Sequence, residues 1–250
     1  IGGRLIAGVL VDFSSWQSAT YIIGLLNFII ACLFYLLLPK SQHFKPYPFR
    51  FSRFKAAFEQ NLKDPKLRIL FAKGFILMGC LVTVFNYISY HLLEAPFHLS
   101  QTWIGLISIA YLAGIYSSPK AAQWGYQYGR AKVLPFLLFS MMIGLFITLI
   151  PSLWAILLGL TIFTFSFFAA HSTASSWVSV QAVQYRAVAS SLYLFCYYIG
   201  SSLLGSSGGL IWENFGWVGI NLSVGMVLVI GLVLAIHLMK NENKTTIEVA

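Results

Sequence analysis

Long apolar runs alternate with short polar breaks along the whole chain, and that alternation sets its architecture. Apolar stretches occur at about 18–38, 69–93, 102–123, 132–150, 152–178, 187–211 and 217–239. Each is close to or above the roughly 20 residues a helix needs to cross the hydrocarbon of a bilayer. Backbone groups at that depth have no water to bond, so spans of this kind must be helical. The pattern predicts an all-α membrane protein with seven full spans. A further, partial helix is expected before them, because residues 1–11 are apolar and end at the polar turn Asp12–Ser15. Its opening at Ile1, with no basic flank and no initiator methionine, reads as a helix cut open in an N-terminally truncated chain.

The polar breaks divide the chain into four parts. Residues 1–38 form the end of one bundle, 39–66 a long basic connection, 67–240 a six-helix bundle and 241–250 a polar, disordered tail. Pro46 and Pro48 break the start of the connection. Beyond them Phe51, Phe54, Phe58 and Leu62 recur at helical spacing, with Arg53, Lys55, Glu59 and Lys63 between them. This predicts a short amphipathic helix lying on the membrane surface, attracted by anionic lipid. The span 132–150 is almost featureless and is expected to face lipid. Lys73, two turns inside its span, is expected to snorkel to the surface.

Composition agrees with the pattern, at 58% apolar and 9% charged residues. The net charge of +9 is placed on alternate connections. Lys and Arg crowd 39–68 and recur at Lys120, Arg130, Lys132, Arg186, Lys240 and Lys244, whereas the intervening connections carry Asp12, Glu94 and Glu213. Such alternation is the positive-inside pattern, which places 39–68, 124–131, 179–186 and the C-terminus in the cytoplasm. The excess charge is therefore a topology signal, and no nucleic-acid partner is implied. Cys32, Cys80 and Cys196 all fall within apolar spans, as small filler rather than a disulfide framework. The seven tryptophans sit near span ends, as expected of an interfacial belt.

Small residues mark where helices should meet. Ser201, Gly205 and Gly209 stand four apart, on one face of the run YLFCYYIGSSLLGSSGGLIWENFGW (Tyr193 to Trp217). In lipid, close backbone approach at such residues replaces burial as the force joining helices. The same spacing links Gly8, Asp12 and Trp16 near the start to Gly209, Glu213 and Trp217. Read as a repeat, this echo implies two similar halves, of which most of the first is missing.

On these residues the chain resembles the major facilitator superfamily of secondary transporters, over its whole length. The spans look like helices six to twelve of that family's twelve, preceded by the end of helix five. Gly2, Gly3 and Gly8, followed by Asp12 and Trp16, resemble the end of the glycine-rich antiporter motif of helix five. Gly129 and Arg130 resemble the end of the family's G-x-x-x-D-R-x-G-R loop, although Ala122, Tyr126 and Gln127 replace its first glycine, aspartate and first basic residue. The runs FFAAHSTASSWV and ASSLYLFCYYIGSS are similar to bacterial inner-membrane permeases of the drug:proton-antiporter type, described as arabinose effluxers. The resemblance implies a major-facilitator-type helix bundle, here as a fragment. It also implies alternating-access efflux of a small organic solute in exchange for protons, in a bacterial inner membrane. Its partners are the lipid bilayer, the solute, protons and the missing N-terminal helices.

The candidate functional residues are few. Arg4, about two turns inside from Asp12, reads either as a contact for an anionic or polar solute or as half of a structural ion pair. His171, in a serine-rich stretch, is a candidate proton relay or a hydrogen-bonded structural group. Asn86, Tyr87 and Tyr90 lie within about one turn, and Tyr193 and Tyr197 share a helix face. The resemblance places these helices around the central cavity, where aromatic rings with polar tips suit an amphipathic solute. Packing or interfacial anchoring is the alternative reading for the tyrosines. No metal or cofactor site is read. Neither paired intramembrane aspartates nor H-E-x-x-H occurs, so an enzyme is not expected. An inactive truncated product and a seven-helix receptor-like protein are the competing readings. Among the latter, a retinal protein would need a lysine midway along the last span, which has none before Lys240.

Overall fold

The computed structural model describes residues 2–39 and 51–248, without the side chains of residues 4, 5 and 243–248. Lys40, Lys45, Pro46, Pro48 and Arg50 of the expected basic connection lie outside the described residues. Among those described, every regular element is helical. These are α1 (Gly2–Phe13), α2 (Trp16–Leu37), α3 (Phe51–Lys63), α4 (Pro65–Leu93), α5 (Gln101–Ile107), α6 (Ala113–Trp124), α7 (Arg130–Ile147), α8 (Leu153–Gln181) and α9 (Arg186–Glu248). A 3-10 segment, Ser108–Leu112, joins α5 to α6, and a π turn, Gly125–Gly129, joins α6 to α7.

Among the described residues, five continuous stretches are long and apolar enough to cross a membrane: Trp16–Leu37, Pro65–Leu93, Gln101–Ile147, Leu153–Gln181 and Arg186–Glu242. At 1.5 Å per residue the third and fifth would reach about 70 and 85 Å, over twice the hydrocarbon thickness of ~30 Å. Each is broken where it must be. Gly129 has φ 85° at the head of α7, and Gly216 has φ 56° and ψ −148° within α9. Both lie in the left-handed region that glycine enters without steric cost. Each of the seven apolar runs thus falls within one helix or limb, or within a turn of its end. The span starting at Pro65 is capped by Asp64, whose Oδ1 accepts from the Lys66 and Leu67 N–H groups at 2.7 and 3.2 Å.

The chain divides into two compact units, Ile1–Ser52 with Leu92–Ile109, and Arg53–His91 with Ala110–Ala250. In the first, α1 lies against α2 and α5. A Cβ on Gly8 would stand 2.5 Å from the Gln101 carbonyl oxygen, so only glycine allows this approach. One turn on, the Asp12 carboxylate accepts from the N–H groups of Gln101 at 3.0 Å and Thr102 at 2.7 Å. These amides open α5 and have no intrahelical acceptor, and Ser100 supplies no side-chain cap. Asp12 therefore caps α5 from another helix. Hydrogen bonds from Thr102, through side chain and backbone, hold its carboxyl below the ordinary 3.8. This clasp holds residues 92–109 and the helices before the long connection together within one compact unit.

In the second unit α8 is central, packed by α6, α7 and α9. Its tightest crossing is with α7, at two facing glycines. A Cβ on Gly144 would come within 2.7 Å of the Gly159 carbonyl oxygen, and one on Gly159 within 2.6 Å of that of Gly144. Leu134, Leu137, Leu138, Met141 and Leu145 of α7 are buried with them. The 132–150 span therefore does not mainly face lipid as expected. Apolar side chains serve equally against lipid and against protein, so a featureless sequence does not distinguish the two.

Three further expectations change. Lys73 does not snorkel. It is fully buried, and its Nζ donates to the Gly231 carbonyl on the second limb of α9, where glycine leaves the oxygen reachable. Trp16, Trp103 and Trp154 are exposed as belt residues should be, but Trp177 and Trp217 are buried. The Trp217 indole N–H donates to the Thr148 carbonyl at 3.1 Å, tying the end of α7 to the break in α9. The tail is not disordered up to Glu248: α9 continues through it, and Glu242 pairs with Lys66 at 3.2 Å.

Three outcomes test this account. Gly144→Leu should cost about 1–3 kcal/mol or abolish assembly, while Gly24→Leu, with nothing within 4 Å of its Cβ, should be near neutral; thermal unfolding in detergent distinguishes them. Lys73→Met should keep or raise the melting temperature, since a buried polar amine is replaced by an apolar chain of similar length; a fall of many degrees would show that the amine holds the helices together. Because the folded carboxyl of Asp12 is shifted down, its clasp is complete above the ordinary carboxylate range and is lost as pH falls through the lowered value. Spin labels at Val9 and Trp103 should therefore give a narrow distance distribution that broadens only at pH values below the ordinary 3.8. In Asp12→Asn the distribution should be independent of pH.

Candidate functional site

Helical spacing assembles the first cluster. On α8, Phe167 and His171 are one turn apart and their rings stack, with centroids 6.0 Å apart and planes at 10°. On α9, Tyr193 and Tyr197 are likewise one turn apart, with ring centroids 6.4 Å apart. The helices meet so that His171 Nδ1 lies 3.0 Å from the Tyr193 hydroxyl and its ring 4.8 Å from that of Tyr197. Tyr111 and Phe85 stack nearby at 4.5 Å, and Tyr111 meets Phe168 edge-on at 5.9 Å.

The burial of these groups separates their roles. Tyr193 is 1% exposed, with its ring against Gly74 of α4, where a Cβ would come within 3.0 Å. It is a packed support for the imidazole rather than an open cavity wall. His171 and Tyr197 are half-buried and form the accessible side of the cluster. The hydrogen bond at Nδ1 fixes the ring, and Nε2 has no hydrogen-bond partner among the described residues. The serines and threonine around His171 largely turn back on the backbone. Thr173 bonds Ala169 O at 2.9 Å, Ser175 bonds Ser172 O at 3.2 Å and Ser176 bonds Thr173 O at 3.0 Å. Their density, which drew attention in the sequence, is satisfied locally.

Asn86, Tyr87 and Tyr90 do not join this cluster. They belong to a second one, which meets α9 at Gly205 and Trp212, some 12 Å or more along the helix from Tyr197. The Tyr87 hydroxyl donates to the Gly205 carbonyl at 3.0 Å, and its ring lies 6.1 Å from Trp212 and 6.1 Å from Tyr90. Tyr87 is buried, whereas Asn86 and Tyr90 are exposed. Trp212 and Phe167 complete the two clusters and were not singled out in the sequence. For Phe167 the signal was its position four residues before His171.

The remaining candidates are placed as follows. Arg4 lies on α1, and its side chain is not among those described. Gly2 and Gly3 open α1, and a Cβ on Gly3 would meet nothing within 4 Å. Along α9, Gly205 is buried with Val82 at 3.1 Å from its Cβ position, and Gly209 faces the Tyr87 hydroxyl at 3.5 Å. The Ser201 hydroxyl turns back to Tyr198 O. The closest approaches to α4 come one residue earlier, at Gly200 against the Phe75 backbone and Gly208 against the Tyr87 ring. A Cβ on Gly79 of α4 would lie 2.9 Å from Gly200 O. Gly129 supplies the reversed φ before α7, and Arg130 is half-buried beside Gly125.

The sequence profile described as Major Facilitator Superfamily matches residues 1–205. The chain is 44% identical over 238 residues to an uncharacterized transporter of Buchnera aphidicola subsp. Schizaphis graminum, covering 95% of this chain and 58% of that protein. It is 45% identical to the inner membrane transport protein YnfM of Escherichia coli, covering 95% and 57%. To the uncharacterized MFS-type transporter YybF of Bacillus subtilis it is 38% identical, covering 96% and 59%. The chain thus spans under two thirds of the length of these relatives. The all-helical architecture, the apolar spans and these matches agree: the chain is an integral, multi-pass membrane protein and belongs to the major facilitator superfamily.

Proposed function

We propose that this chain supplies the larger part of a secondary transporter that exports a small organic solute in exchange for protons by alternating access. The observation that carries this reading is the half-buried His171, held by the Tyr193 hydroxyl at 3.0 Å and walled by aromatic rings between two membrane helices. An imidazole changes charge near neutral pH. Fixed at Nδ1, it keeps Nε2 for a water or solute. Tyr197 then offers a ring and a hydroxyl to the solute, and Tyr193 positions the histidine. Asn86 and Tyr90, exposed at the second cluster, are further candidates for contact with the solute.

The relatives' greater length supports a complete transporter with further helices, which would close the solute path from the opposite side. In such proteins two halves rock about a site near the midplane. The alternating basic connections support a cytoplasmic C-terminus. The name of the Escherichia coli relative, an inner membrane transport protein, favours the same membrane here.

The test uses the complete protein in proteoliposomes, with solute-dependent proton flux across a panel of small organic solutes read from about pH 5.5 to 8, a window that brackets the ordinary imidazole value. His171→Ala should flatten the pH profile, and Tyr193→Phe should displace it while retaining part of the rate. Uniformly lower flux with an unchanged profile would reduce the histidine to a structural role. Transport with no proton movement would remove the coupling.

A further inference from the structure

The short helix α3 has two working faces. One is packed within the second unit, to which the helix belongs from Arg53 on. Ala57 and Asn61, one turn apart, are buried. Asn61 Nδ2 reaches the Tyr185 carbonyl at 3.5 Å, and Gln60 Nε2 donates to Gln184 Oε1 at 3.2 Å. Just beyond the helix, Asp64 Oδ2 accepts from Gln181 Nε2 at 2.8 Å. These contacts fasten α3 to the turn between α8 and α9, beside a cavity of about 740 Å³ lined by the same amides. The start of α4, the end of α8 and the start of α9 meet there, so α3 is held at the level where three helices leave the apolar zone.

The other face is apolar and exposed. Phe51, Phe54, Phe58 and Leu62 are 69%, 44%, 38% and 38% exposed, and the Phe54 and Phe58 rings lie 6.4 Å apart. Lys55 and Lys63 of α3 and Arg68 at the start of α4 are all exposed; Glu59 pairs with Lys55 at 3.9 Å, and Asp64 follows Lys63. A contiguous exposed apolar row of this kind marks a surface that an apolar phase or partner covers. Lipid acyl ends suit the rings, and anionic headgroups suit the cations beside them.

We propose that the Phe54, Phe58 and Leu62 stripe of α3, with the lysines of the same helix, is a binding surface for anionic phospholipid, set into the bilayer interface while the adjoining Ala57–Asn61 side stays locked to the α8–α9 turn. Docking removes the freedom that a loose amphipathic segment would have. The phenylalanines therefore act as a fixed lipid contact, and the charge around them selects anionic species. By the same contacts, lipid held there bears on the turn that positions the start of α9.

The experiment uses the full chain with Cys32, Cys80 and Cys196 replaced and one nitroxide at Phe58, Leu62 or Glu59. The chain is reconstituted in phosphatidylcholine vesicles with and without roughly 30% phosphatidylglycerol. Collision with oxygen reports lipid exposure, and collision with a water-soluble nickel chelate reports aqueous exposure. The oxygen-to-nickel ratio should be several-fold higher at 58 and 62 than at 59. It should rise further with phosphatidylglycerol, and that rise should vanish when Lys55, Lys63 and Arg68 are changed together to Gln. Equal ratios at 58, 62 and 59 would place the stripe in water and overturn the proposal. Shielding of 58 and 62 from both probes would mean that protein covers the face, and would overturn it equally. A higher ratio indifferent to phosphatidylglycerol would remove the anionic preference on which the proposal rests.

Discussion

Two glycines facing each other across α7 and α8 set the spacing on which the second unit depends. With Gly144 and Gly159 in contact, each helix presents its backbone to the other at a distance that a methyl group would already violate. In water such a contact would be a detail beside the burial of leucines. In a chain this apolar, burial separates nothing, because a leucine against lipid is as well placed as a leucine against protein. Close approach, with the dispersion contacts it permits along the whole crossing, is what distinguishes one arrangement from another. Once α7 is fixed to α8, the end of α7 holds Trp217 through the Thr148 carbonyl, and the two limbs of α9 follow. The histidine cluster is a consequence of that chain of contacts, since it needs α8 and α9 in register to within a hydrogen bond.

How much of this was legible in the sequence follows from the same physics. The spans were legible because length and apolarity are set by the bilayer, and the two reversals fell where glycine can adopt a positive φ. Which face of a span meets protein was not, as the burial of α7 shows. Rows of small residues mark an interface only to within a residue. Gly205 and Gly209 do lie toward α4, but the closest approaches come one residue earlier, at Gly200 against the Phe75 backbone and at Gly208 against the Tyr87 ring. Side-chain depth was equally hidden. Tyr193 and Tyr197 share a face, yet one is sealed against Gly74 and the other remains accessible. The difference comes from a glycine on another helix.

The echo between the two ends of the chain shows what repetition can and cannot carry. Gly8 and Asp12 make one device, a close approach followed by a carboxylate that caps α5. The matching Gly209 touches the Tyr87 hydroxyl, Glu213 is exposed, and Trp217 is buried where Trp16 is not. A shared spacing therefore holds a shared helix geometry, while each copy acquires its contacts from whatever lies against it. The capping role of Asp12 could not be read from its own neighbourhood. It depends on two amides 89 and 90 residues away that α5 leaves unbonded.

Two basic side chains, Lys73 and His171, lie deep within the described spans, and they illustrate opposite solutions to the same cost. A charge in hydrocarbon must be neutralised, solvated or hidden. Lys73 is hidden: it is packed with zero exposure, and its amine is turned onto a backbone carbonyl that a glycine leaves open. Nothing can reach it without parting α4 from α9. His171 is held as firmly at Nδ1, yet its ring is half-buried rather than sealed, and the groups around it are rings with polar tips instead of aliphatic chains. A group that exchanges protons during a transport cycle needs a fixed position and an open side together. Lys73 has the first alone, whereas His171 has both, and this contrast favours the histidine cluster as the working part of the bundle.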